Sequence, residues 1–204
     1  MKKMITTLVL LPLTLIAFQA CGPKFKSQED CGFVQNVYGQ RISWKGKFPV
    51  PIYIHSSVPE QFIPVIESSF RVWEESAGKQ LFYIAGISGG PNEPRRDGVN
   101  TIYWMNTWES NRSQEQARTS VYWEGDEIRE SDMRINAKDF TFYAQVPVDG
   151  KDVHLESLIV HELGHVLGLK HQDGASSVMA TYLQSSTVRT TLTNNDLNSI
   201  RCEY

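Results

Sequence analysis

The sequence is short of several things, and each shortage excludes a class of protein. Lys and Arg together number 20 against 23 Asp and Glu, a formal charge of −3, and no long basic run occurs. That leaves no electrostatic footprint for nucleic acid. The longest apolar run, Ile5 to Phe18, holds fourteen residues and is interrupted by Pro12. It falls short of the ~20 residues that a bilayer-spanning helix needs. Repeats and low-complexity blocks are absent, and 41% apolar with 21% charged residues is a globular balance. A chain of 204 residues suits one domain with a proper core. Histidine is scarce too, with five in the chain, yet three of them fall between His161 and His171.

The start of the chain reads as a targeting segment. "MKKM" is a positive n-region and Ile5 to Phe18 is the length of a secretory h-region, so residues 1–20 are expected to be a leader. "FQAC", with Gly22 after it, resembles a bacterial lipobox, although Phe18 stands where leucine is usual. That resemblance implies a diacylated Cys21 and a membrane anchor in the bacterial envelope. Gly22 fits outer-membrane sorting, since the usual retention residue, aspartate, is absent. The alternative is cleavage after Ala20 and release as a secreted protein. Residues 21–43 are then a lipidated N-terminus, tether and N-terminal arm. With Cys21 lipidated, Cys31 and Cys202 remain as a pair for a disulfide in an oxidising compartment.

Further along, apolar spacing marks the elements. "FPVPIYIH" (48–55), "LFYIAG", "NTIYWM", "ARTSVYWEG" and "EIRESDMRIN" read as strands, with "EGDE" a tight turn between the last two. Phe62, Val65, Ile66, Phe70 and Trp73 recur at helical spacing, with Ser57 and Pro59 as start residues, Gly78 as stop, and Pro64 pointing to a later start. "VDGKDVHLESLIVHELGHVLGLKH" reads as a loop running into a second helix, with Asp152 as its expected cap and His154 facing solvent. A short helix capped by Thr193 or Asn194 closes the chain. One antiparallel-leaning sheet with a long helix on either side of its central element makes the fold class α+β.

"HELGHVLGLKH" carries the chemistry. Residues four apart on a helix share a face, so His161 and His165 present two imidazoles to one metal. Glu162 sits at the edge of that face, where its carboxylate reaches a water better than it reaches the metal. Gly168 lets the chain leave the helix in a left-handed turn, and His171 swings back as a third ligand. Three neutral imidazoles and one open position describe a catalytic zinc site; calcium and magnesium prefer oxygen.

This segment, followed by "SSVMA" with Met179, resembles the metzincin zinc peptidases, whose pattern is HExxHxxGxxH plus a methionine turn. "SFRVWEE", "SDMRIN" and "LESLIVHELGHVLGL" resemble the matrixin branch, and the likeness covers about residues 44–204, most strongly 153–183. The resemblance implies a catalytic domain over 44–204 with a twisted, mixed, mostly parallel five-stranded sheet, one antiparallel edge strand, three helices and a cleft between two lobes. It implies zinc on His161, His165 and His171, Glu162 as general base, and Met179 as an apolar floor, where simple core filling is the plainer reading. It implies a peptide or protein substrate, and a monomer is the default.

Departures from the family are visible as well. No "HGD" precedes the helix, and the remaining His55 and His154 lie far apart, so a second zinc is not expected; calcium cannot be assigned to positions. Tyr182 is expected in the wall of the substrate pocket, with a hydrogen bond to the tetrahedral intermediate as the alternative. "EDCGF" pairs Cys31 with Gly32 as the family's latency switch does, without its other residues, so Cys31 blocking the zinc is the alternative to the disulfide. Two other functions stay open at this point: a catalytically silent zinc-binding lipoprotein, and a zinc hydrolase of cell-wall peptides.

Overall fold

The structure, a computed structural model, describes residues 26–147, 149–173 and 176–204. The expected leader, residues 1–20, and Cys21 lie outside the described residues. Five strands form the main sheet: β1 (Val50–His55), β2 (Phe82–Ser88), β3 (Thr101–Met105), β4 (Ala117–Glu124) and β5 (Glu127–Asn136), in the spatial order β2-β1-β3-β5-β4. Three helices accompany them: α1 (Ile63–Ala77), α2 (Leu155–Val166) and α3 (Asn194–Glu203). The fold is α+β, as expected.

The antiparallel leaning is corrected. β1–β2, β1–β3 and β3–β5 pair in parallel, and β4 alone runs antiparallel, against β5, at the sheet edge. Period-two patterning looks the same in either direction; the connections decide. A helical crossover through α1 joins β1 to β2 and forces them parallel, whereas the two-residue turn between Glu124 and Glu127 forces β4 and β5 antiparallel. A small parallel pair, β6 (Phe142–Tyr143) with β7 (Val153–His154), was not foreseen.

Helix α1 starts at Ile63, after a 3₁₀ turn over Glu60–Phe62, and not at Ser57 or Pro59. Pro64 then falls in the first turn, where a missing N–H breaks no helical bond. Gly78 ends the helix with φ 65°, in the left-handed region. Ile66, Phe70 and Trp73 bury one face, and Trp73 Nε1 donates to the Val160 carbonyl at 2.9 Å, fastening α1 to α2.

The arm before β1 belongs to this core. Phe33 and Ile42 are each 1% exposed, Phe33 bridges to Leu169 just past α2, and Trp44 Nε1 donates to the Val166 carbonyl. Cys31 and Cys202 are joined by a disulfide, tying the arm to the end of α3. A bridge of this kind belongs to an oxidising compartment, as in an exported protein. Among the described residues, no helix is long and apolar enough to cross a membrane.

Candidate metal centre

Helix α2 begins at a buried histidine. His154 accepts from Ser157 N through Nδ1 (3.3 Å) and is 5% exposed, its Nε2 facing the Ala144 carbonyl at 3.2 Å. Both expectations for this helix start are therefore corrected: His154 does not face solvent, and Asp152 is not the cap. The pairing of β6 with β7 brings Asp152 back against the loop before it, where its carboxylate accepts from Thr141 Oγ1 (2.5 Å) and Asp149 N (2.8 Å).

From there the helix carries His161 and His165 one turn apart. It breaks at Gly168, whose φ of 98° and whose contacts both demand glycine: a Cβ there would stand 2.2 Å from the Ile42 carbonyl oxygen. Leu169 N bonds back to Gly164 O at 2.9 Å, and the reversed chain delivers His171. The ring centroids of the three histidines lie 4.8–5.2 Å apart, and one ring nitrogen of each falls within 4.8 Å of the others. Among the described residues, no other group of three metal-ligating side chains converges in this way. His55 is spent on Ser57 and the Gly90 carbonyl, away from the triad.

Backbone carbonyls set the tautomers. His161 Nδ1–H donates to Val178 O and His165 Nδ1–H to Leu169 O, each at 2.8 Å. A carbonyl only accepts, so Nδ1 carries the proton and each Nε2 keeps a free lone pair. His165 Nε2 and His171 Nε2 approach to 3.2 Å. Burial disfavours the imidazolium at all three: His161 is pushed down to about 3 by burial and then by its histidine neighbours, and His165 and His171 are lowered mainly by burial. Three neutral nitrogen donors at one point fit a borderline ion such as zinc and suit oxygen-loving calcium poorly.

Glu162 is 5% exposed, and its Oε2 accepts from Thr119 Oγ1 of β4 at 2.6 Å. Burial raises its carboxyl to about 7, against the Thr119 hydrogen bond, which lowers it. Met179 is fully buried against Gly164, between the two helical histidines. A cavity of about 650 Å³ runs along β4 and past the triad, with Glu162, Leu158, Leu183 and Tyr182 in its wall. Tyr182 stands at the rim, 86% exposed. Cys31, bonded to Cys202, has no free thiol to offer this centre.

Sequence reading missed two supports. Thr119 gave no signal, because only the fold sets β4 beside α2. Asp196 had one, a T-x-x-D start to α3: it forms a capping box with Thr193 while accepting from Ser177 Oγ (2.5 Å) and Val178 N (3.3 Å). It thereby holds the turn whose carbonyl orients His161.

A mixed five-stranded sheet, a helix bearing two histidines and a buried glutamate, and a third histidine returned to the same point by the turn at Gly168 define a zinc-peptidase type of fold and site. The family model described as Matrixin matches residues 94–204, more than half of the chain, and the chain belongs to that family of zinc-dependent metallopeptidases. A stretch of 52 residues is 40% identical to "Metalloendoproteinase 2-MMP" of Arabidopsis thaliana, covering 26% of this chain and 14% of that protein's length.

Proposed function

We propose that the chain is a zinc-dependent endopeptidase, with His161, His165 and His171 holding one zinc and Glu162 as general base. The observation that carries this reading is the convergence of three neutral imidazoles beside a buried carboxylate in the wall of an open cavity. Zinc in that position supplies Lewis acidity, bringing the pKa of water towards 7 and polarising the scissile carbonyl.

The remaining steps belong to the chain's own residues. Glu162, buried in the cavity wall beside the triad, takes the proton of the attacking water and delivers it to the departing amine. Thr119 holds the carboxylate in place by its hydrogen bond. Strand β4 is an edge strand bordering the cavity, so an extended peptide adds to it by main-chain hydrogen bonds. Met179 is the floor under the histidines, and Tyr182 is part of the pocket wall. The leader-like residues 1–20 and the lipobox-like Cys21 support a reading as a bacterial envelope lipoprotein, acting as a monomer on peptide or protein substrates.

The test is cleavage of a quenched degenerate peptide library by protein beginning at Gly22, beside its Glu162→Ala variant, with zinc measured in both. Cleavage by the wild type alone, with about one zinc bound in each, supports the reading. Full zinc with no cleavage in either overturns it.

A further inference from the structure

Arg189 follows the segment that walls the cavity on the His161 side. Its main-chain N–H donates to Ser157 Oγ at 2.6 Å, which ties it to the first turn of α2. Its guanidinium reaches three carbonyls: Tyr182 O from Nη1 at 2.7 Å, and Ala180 O and Val178 O from Nη2 at 3.0 and 3.5 Å. The Nε–H is buried and has no acceptor among the described residues. No carboxylate among the described residues pairs with this side chain. Burial lowers its pKa, and the charge of Asp196 offsets this only from a distance, since the Asp196 oxygens are committed to Ser177, Val178 and Thr193.

The other charges along the cavity are accounted for. Arg118 and Glu115 neutralise each other in a two-pronged pair, with Nε at 3.0 Å and Nη2 at 2.5 Å. Glu162 is taken up by Thr119. Arg189 is thus the cation in this wall that has no ion-paired carboxylate among the described residues, in a lining that also includes apolar Leu158 and Leu183. A cation kept partly desolvated and without a counter-ion is costly, and a ligand that brings the anion removes that cost.

Resting on the peptidase reading, we infer that Arg189 is a specificity-determining residue that selects substrates with an acidic side chain, Glu or Asp, next to the scissile bond. The wall that Arg189 forms is continuous with His161 through the shared Val178 carbonyl, so the side chain seated against it belongs to a residue adjoining the reacting carbonyl. The carboxylate meets the guanidinium in surroundings where water competes weakly, and the neutral isostere Gln brings no charge to match it.

The test uses paired peptides differing only by Glu or Gln at each position, cut by the zinc-loaded, disulfide-bonded protein. The same pairs are measured for binding to the zinc-loaded Glu162→Gln variant by fluorescence anisotropy. At one position beside the cleaved bond, Glu is expected to raise kcat/KM by about tenfold over Gln. That ratio falls to about one in Arg189→Gln and survives in part in Arg189→Lys. Because the ratio is internal to each variant, a general loss of rate from loosening the wall leaves it unmoved. Cleavage with no Glu-over-Gln preference at any position, or a preference that persists in Arg189→Gln, overturns this inference while the peptidase reading stands. Absent cleavage together with an Arg189-dependent preference in binding overturns the peptidase reading and keeps the acidic selectivity. Absence of both overturns both.

Discussion

A Cβ placed on Gly164 would stand 2.2 Å from the sulfur of Met179 and 3.1 Å from Trp73. The helix that carries two histidines is therefore seated on the methionine through a residue with no side chain. Gly164→Ala is a favourable change for an isolated helix, by about 1 kcal/mol. Here overpacking opposes it, at about 1–3 kcal/mol, since Met179 and Trp73 are both fully buried. We expect Gly164→Ala to lower stability in urea unfolding and to weaken zinc binding, because relief requires the buried Met179 side chain, the helix or the turn 177–179 to move. An alanine variant as stable as the wild type would mean that the methionine moves aside freely.

Asp196 acts on the proposed zinc site at one remove. Its carboxylate fixes Ser177 and Val178, and Val178 O accepts from His161 Nδ1. Partners that orient a metal-bound histidine are each worth about 10–100-fold in metal affinity. Asp196→Ala also loses the capping box of α3, at about 1 kcal/mol. Chelator competition is expected to show weaker zinc binding by about tenfold or more. Thr193→Ala, which loses the oxygen that accepts from Asp196 N and keeps the Asp196 carboxylate on Ser177 and Val178, should reduce stability with little change in zinc affinity.

What could be read without coordinates divides along physical lines. Local rules located the triad, because His161 and His165 need only helical spacing and His171 needs only a glycine that turns the chain. The strands at 50–55, 101–105 and 117–136 declared themselves through alternation and the turn at Gly125. Strand direction did not, since it is set by what crosses between β1 and β2. Neither did the partners of the site. Thr119 meets Glu162 across 43 positions and Arg41 meets Glu203 across 162, and such separations leave no local pattern. His154 was misread for a related reason: its burial comes from the pairing of β6 with β7, two residues each and too short to show periodicity.

The Cys31–Cys202 disulfide closes a loop with a sequence separation of 171. In the chain-entropy model a loop of that length stabilises by about 5 kcal/mol. The bridge also fixes the arm whose Val34 and Ile42 line the cavity beside Gly168. Replacing both cysteines by serine is expected to lower the urea midpoint strongly and to raise KM for peptides more than it lowers kcat, because it loosens a wall and leaves Glu162 untouched. An equal fall in kcat would show that the arm also holds the histidines.

Asp132 supplies a pH dependence separate from the proposed centre. It lies in β5, 1% exposed, with Oδ1 accepting from Thr101 N at 3.1 Å and Oδ2 without a partner among the described residues. Burial raises its carboxyl to about 7, helped by the charge of Glu130 and opposed by the Thr101 bond. The sign follows from proton counting: between about pH 4 and pH 7 the folded state holds a proton that the unfolded state has lost. Stability from this group is therefore full below the ordinary carboxyl range and declines as pH rises through 7. Asp132→Asn keeps the acceptor for Thr101 and removes the titration. Relative to the variant, the wild type should lose about 2–3 kcal/mol between pH 5 and pH 8, measured by urea unfolding at each pH. A difference that stays flat across that range would mean that Asp132 ionises normally, and that water or a cation reaches its unpartnered oxygen.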